Sequence, residues 1–243
     1  MLAPKLAADC HFHIFGPFDK FPLDPGRHYE PKLALIEDYL AMAGTVGLER
    51  MVIVTPSPYG TDNRVTLDAI ERFGRHRAVG VAVIDDRWDD AALRRLAPLG
   101  WHIQVYADGQ TLADIAQVLA ALPVAVVVDH IGGVKAALGT AHPQFQALLR
   151  LLDSGNAWVK TCSYRASSTG HPWADTGPNV RALVAAAPER CVWGTDWPHS
   201  SMQPPLPVAS ALLDQFFEFV PDASVRQRIL VDNPAQLYGF PAG

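Results

Sequence analysis

The chain has no long hydrophobic run. Although 49% of its 243 residues are hydrophobic, none of its apolar stretches approaches the ~18 residues that a membrane-crossing helix needs. The opening MLAPKLAADCH lacks the extended apolar region of a secretory leader. Cysteine is scarce and odd in number, with Cys10, Cys162 and Cys191 far apart in apolar, strand-like runs. Such spacing excludes a disulfide framework and fits a reducing compartment, the cytoplasm. Excess charge of one sign is missing too. The 20 basic and 25 acidic residues are scattered and leave a net charge of −5, which excludes a basic face for nucleic acid and a charged tail. No low-complexity segment and no Pro/Gly-rich linker divides the chain. One domain spanning 1–243 is expected, long enough for a large core.

What is present is alternation. Short apolar runs, rich in β-branched residues, occur at 8–15, 50–56, 78–84, 101–107, 124–130, 157–163 and 191–197. Between them lie segments with apolar residues at i, i+3 and i+4, at 33–47, 65–74, 89–100, 111–122, 142–155 and 177–188, and two more follow at 207–220 and 222–233. Strands apolar on both faces belong to a parallel sheet covered by helices. The alternation predicts an α/β fold, a distorted TIM-like (β/α) barrel, with an open doubly wound sheet as the alternative. Seven strands are counted, since only a helix is expected between Ile84 and Trp101.

Polar residues gather where these strands end, which is where barrel enzymes keep their chemistry. Strand one carries His11 and His13, whose spacing of two turns both imidazoles to one face. Cys10 then faces the other way, as a small buried hydrophobe. Ser57 and Thr61 follow strand two, and His102, Gln104 and Tyr106 share a face of strand four. His130 ends strand five, Arg165 lies just past strand six, and Asp196 and His199 close strand seven. Asp129 falls on the face opposite His130 and is read as structural. Lys160, in an apolar strand, is read as paired with a buried carboxylate. His28, His76, His142 and His171 are read as solvated or capping, and His199 as a brace for its loop. Asp232 and Asn233 are expected to cap a short helix begun by Pro234.

The segments DCHFHIFGP, VVVDHIGG, WVKTCSYR, VWGTDWPH and ILVDNPAQLYGF resemble, in the same order, the amidohydrolase superfamily, in the branch of the 2-pyrone-4,6-dicarboxylate and sugar lactonases. The resemblance implies a (β/α)8 barrel and hydrolysis of a lactone C–O bond in a small carboxylated or sugar-acid substrate. It also implies a water activated by Asp196. On this reading His11, His13 and His130 polarise the carbonyl, while Arg165 grips a substrate carboxylate and Ser57, Tyr106, Tyr29 and Thr61 hydrogen-bond its oxygens. The pyrone lactonases work without metal, so none is expected to be required. The alternative is Zn²⁺ on His11, His13, His130 and Asp196.

This chain departs from the family in two places. The strand–helix unit with an Arg-Gly-x-Arg-Phe-Asn-like motif has no counterpart before WHIQVYA, and Gly133 stands where an arginine follows the Asp-His turn. Two further readings therefore stay open: a catalytically impaired barrel that binds sugar acids or carboxylates, and a mononuclear zinc amidohydrolase or decarboxylase. The partner expected is a small molecule, with neither nucleic acid nor membrane, and the chain is a monomer or a homo-oligomer.

Overall fold

Each of the seven apolar runs forms a parallel strand in the computed structural model, which describes residues 1–84, 94, 97–200 and 202–241. The chain is grouped in two units: Met1–Asp85, Gly194–Phe217 and Leu230–Gly243 in one, Asp86–Trp193 and Glu218–Ile229 in the other.

In the first unit β1 (Ala8–Phe12), β2 (Arg50–Val54) and β3 (Ala78–Val81) pair in that order, all parallel. Every residue of β1 and β2 is buried, so both faces of these strands are covered. The helices between them are α1 (Ile36–Val46) and α2 (Arg64–Phe73). α1 stops at Gly47, whose φ of 79° is the left-handed C-cap that glycine adopts without strain. Phe12 of β1 stacks on Tyr39 of α1 with ring centroids 3.6 Å apart, and Phe73 of α2 closes on both edge-on. Truncating Phe12 would cost about 3–5 kcal/mol in transfer and cavity terms.

In the second unit β4 (His102–Val105), β5 (Ala125–Val128), β6 (Ala157–Lys160) and β7 (Cys191–Val192) also pair in chain order and in parallel. They alternate with α3 (Gly109–Ala120), α4 (Pro143–Asp153) and α5 (Gly177–Ala186). Asp108 caps α3, its Oδ1 accepting from the amides of Gln110 and Thr111 at 2.9 and 3.0 Å. His142 caps α4 by accepting from the Gln144 amide, as read from sequence. The chain ends in α6 (Ala209–Phe219), α7 (Ala223–Gln227) and α8 (Asn233–Tyr238).

The α/β class and the parallel order are as the alternation predicts. The boundaries differ for physical reasons. α1 begins at Ile36 rather than Leu33, because Ala34 pairs antiparallel with Phe15. β1 ends at Phe12 rather than Phe15, and its register slips between Asp9 and Phe12, a bulge. β7 ends at Val192 rather than Trp197, because the amides of Thr195 and Asp196 bond to Asp9 and to the His11 carbonyl. Asp232 sits at the N-cap of α8, but its side chain makes no capping bond there, and Asn233 is the helix's first, buried residue. The helix expected over 89–100 falls largely outside the described residues.

Candidate active site

Three residues of the first unit converge. His11 Nε2 lies 3.7 Å and His13 Nε2 3.6 Å from Asp196 Oδ1, and the two imidazoles meet edge-on with centroids 5.0 Å apart. The two rings lie side by side, as the spacing of two predicts, although β1 ends at Phe12 and His13 lies one residue beyond it. The approach of Asp196 does not follow from that spacing; it depends on the segment Gly194-Thr195-Asp196. A Cβ on Gly194 would lie 2.6 Å from the His11 amide nitrogen, so only glycine lets the two backbones pass this closely. Thr195 donates its hydroxyl to Asp9 Oδ2 at 2.6 Å and its amide to Asp9 Oδ1 at 2.9 Å. Asp196 then adopts φ 58°, a left-handed conformation uncommon for a side-chain-bearing residue. Its amide donates to the His11 carbonyl at 2.7 Å, and the His13 amide donates to the Trp197 carbonyl at 2.9 Å.

Asp9 holds this arrangement, and the sequence reading passed over it. It is completely buried and also accepts from the His11 amide at 3.2 Å and the Tyr39 hydroxyl at 3.3 Å. Burial pushes its carboxyl up to about 6, against the pull of these donors. The signal was available: an aspartate inside an apolar strand, one residue before a cysteine and two before His11, needs partners to be there.

The tautomer of His13 carries information. Nδ1 lies 2.8 Å from the Val54 carbonyl oxygen, an acceptor only, so Nδ1 bears the proton. In the neutral ring Nε2 would then present a lone pair toward the Asp196 carboxylate, two acceptors face to face. A cation would fit between two such acceptors. His11, His13 and Asp196 indeed offer ligand atoms all within 4.8 Å of one another, a donor set that fits a divalent metal. Asp196 and His11 are sealed, whereas the His13 side chain keeps 13% of its surface.

The other candidates of this unit lie on loops. Tyr29 Oη lies 3.2 Å from Ser200 Oγ, four residues past Asp196. Ser57 and Thr61 are exposed on the turn after β2. His199 is buried and donates its amide to the Asp196 carbonyl at 3.0 Å, the bracing role read from sequence.

In the second unit His130 follows β5 at a turn of four successive left-handed residues, from His130 (φ 48°) through Ile131 and Gly132 to Gly133 (φ 65°). Its Nδ1 lies 2.9 Å from Cys162 Sγ, a partner that sequence reasoning missed. The ring of Tyr106, 72% exposed, stands perpendicular to it at 5.7 Å. Arg165 stands half-buried over the Tyr164 ring, and its carbonyl accepts from Lys135 Nζ at 2.9 Å. Gly133 has no room for a side chain: a Cβ would meet the Ala107 carbonyl oxygen at 2.3 Å. Lys160, read as paired with a buried carboxylate, lies 3.2 Å from Asp129 Oδ1 and donates to Gln104 Oε1 at 2.6 Å. Gln104 in turn donates to Asp129 Oδ2 at 2.9 Å. Burial and the Lys160 charge lower the His102 imidazole to about 4, so it is neutral.

A paired His-x-His and a buried carboxylate just past parallel strands fit a hydrolytic α/β enzyme. The chain belongs to the amidohydrolase family, whose profile matches residues 8–97 and 84–240. It is 34% identical to a 4-sulfomuconolactone hydrolase of Rhizobium radiobacter, covering 97% of this chain and 91% of that one. It is 32% identical to a 2-pyrone-4,6-dicarboxylate hydrolase of Comamonas testosteroni, covering 97% and 90%. The crystal structure of an Agrobacterium tumefaciens protein in its apo form matches with a TM-score of 0.88 at 28% identity, over 100% of this chain and 98% of that one. The alignment with the Rhizobium enzyme runs over 271 positions, more than the 243 residues here, so that enzyme carries residues without a counterpart in this chain. The two stretches of the family match meet between residues 84 and 97, where the sequence reading finds the strand–helix unit missing.

Proposed function

We propose that this hydrolase opens the ring of a small anionic lactone, with Asp196 as the general base. The observation that carries this is the placing of one buried carboxylate against two imidazoles, 3.6 and 3.7 Å away. The relatives named as hydrolases of a sulfonated lactone and of a pyrone dicarboxylate support the substrate class.

Ring opening adds water across one C–O bond. Asp196 takes a proton from the attacking water, and a proton returns to the ring oxygen as it leaves, giving a hydroxy acid. The developing oxyanion needs donors in place beforehand. His13, its ring held by the Nδ1 bond to the Val54 carbonyl, polarises the lactone carbonyl from the side that remains accessible. His11 acts beside it, and His130 takes the same role on its motif. Arg165 is assigned to a substrate carboxylate, and Ser57, Thr61, Tyr29 and Tyr106 to carboxylate or hydroxyl oxygens. Gly133 leaves no room for the family's arginine, so the substrate carries less anionic charge than a dicarboxylate; a sugar-acid lactone fits.

No metal is required on this reading. The second reading places a zinc ion on His11, His13, His130 and Asp196, of which His11, His13 and Asp196 bring ligand atoms within 4.8 Å of one another; such an ion would polarise the lactone carbonyl. Metal analysis of protein purified without chelator, with turnover before and after chelation, separates them. Stoichiometric zinc with activity lost to chelation would establish the second. The three buried thiols, none in a disulfide, support a cytoplasmic setting, and no helix among the described residues is long and apolar enough to cross a membrane.

Asp196→Asn tests the assignment. Turnover on a panel of lactones followed by acid release is expected to fall by about 10²–10⁴-fold, with thermal unfolding little changed. Unchanged turnover refutes the role of Asp196. Stabilisation by ring-opened acids without any acid release by the wild type would mark a binding protein instead.

A further inference from the structure

We infer that Lys160, Gln104 and Asp129 form a positioning device for His130, an inference that rests on the catalytic role proposed for His130. The three side chains close a ring. The Lys160 ammonium reaches Asp129 Oδ1 at 3.2 Å and Gln104 Oε1 at 2.6 Å, and Gln104 Nε2 reaches Asp129 Oδ2 at 2.9 Å. They come from β6, β4 and the end of β5, so the ring ties three neighbouring strands together.

The fold does not need this ring for stability. Lys160 has no exposed surface and Asp129 only 4%, and taking two charges out of water offsets most of what their attraction returns. A methionine and an asparagine would fill the same space. What such a pair supplies is a fixed geometry, and the geometry here belongs to the next residue. Asp129 is the last extended residue before His130, its amide donating to the Val105 carbonyl at 2.9 Å and its carbonyl accepting from the Gly132 amide at 2.8 Å. From His130 onward the backbone stays left-handed for four residues, including the β-branched Ile131 at φ 56°. That conformation is costly and persists only where its surroundings dictate it. The ring fixes one end of the turn. The His130 imidazole is fixed from the segment that follows β6: Cys162, two residues beyond Lys160, meets its Nδ1 at 2.9 Å. Thus β6 and the residues just after it hold His130 twice, through Asp129 at the backbone and through Cys162 at the ring.

The test is the double variant Lys160→Met/Asp129→Asn, which leaves no buried charge, read by two measurements. The first is the nitrogen spectrum of ¹⁵N-labelled histidine, with the His130 signals assigned by their loss in His130→Gln. The second is kcat and KM on a hydrolysed lactone. The His130 signals are expected to shift or broaden, and kcat to fall about 10–100-fold, as for other partners that orient a reacting group, with KM within about twofold. Gln104→Leu, on the edge strand, removes one corner and keeps the ion pair. The same spectral change is expected there, with a kcat loss of about 3–10-fold; this variant decides the matter if the double variant does not fold. Wild-type His130 signals in either folded variant overturn the inference. If the wild type hydrolyses no lactone, the spectrum still judges the ring, and only the lactonase reading fails.

Discussion

Asp9→Asn exposes the electrostatics beneath the site. In the folded chain the Asp9 carboxyl sits at about 6, against an ordinary aspartate value of 3.8. Its raised value means that the folded state holds a proton that the unfolded chain has lost, across the window from pH ~4 to ~6. The favourable contribution is therefore complete below pH ~4 and lost as the pH rises through about 6. A difference of about two units corresponds to about 3 kcal/mol, a sizeable share of the 5–15 kcal/mol that stabilises an ordinary domain. Asparagine keeps an oxygen for the amides of His11 and Thr195. The hydroxyls of Thr195 and Tyr39, now facing an amide NH₂, can rotate to accept. Urea unfolding of both proteins from pH 4 to pH 8 reads the effect. The stability of Asp9→Asn relative to wild type is expected to improve by about 3 kcal/mol between pH 4 and pH 7, about 6–12 °C in Tm for a chain of this size. Parallel stability profiles would refute the claim that burial raises this carboxyl.

Gly194→Ala is expected to cost about 1–3 kcal/mol in chemical unfolding through overpacking against the His11 backbone, and to lower kcat about 10²-fold by moving Asp196 off the histidines; an alanine variant with full turnover would remove Gly194 from the argument. His102→Gln probes the opposite sign. With its imidazole lowered to about 4 in the fold, wild-type stability from this group is present above pH ~6.5 and lost as the pH falls toward about 4. The variant should lack about 1–3 kcal/mol of that acid-side loss, measured by unfolding at pH 7 and pH 4.5. Cys162→Ser keeps a hydrogen-bonding atom beside His130 and should retain most turnover, while Cys162→Ala should lose about tenfold more; equal turnover of the two would show that the thiol does not orient the ring.

Much was legible in the sequence because it depends on short-range periodicity. Apolar β-branched runs spaced by helical stripes can be buried only as parallel strands with covering helices, so β1 to β7 were readable within a few residues. The period of two put His11 and His13 on one face, and the burial of Lys160 in an apolar strand demanded a carboxylate partner. What only the tertiary structure decided concerns groups far apart in the chain whose meeting no periodicity encodes. Asp9 joins Thr195 across 186 positions, Gly194 admits the His11 backbone, and Asp196 turns its carboxylate through a left-handed residue that looks in the sequence like the end of a strand. Cys162 meets His130 for the same reason. Strand patterns specify which faces are buried, but the packing of distant backbones settles which polar atoms end up within bonding reach.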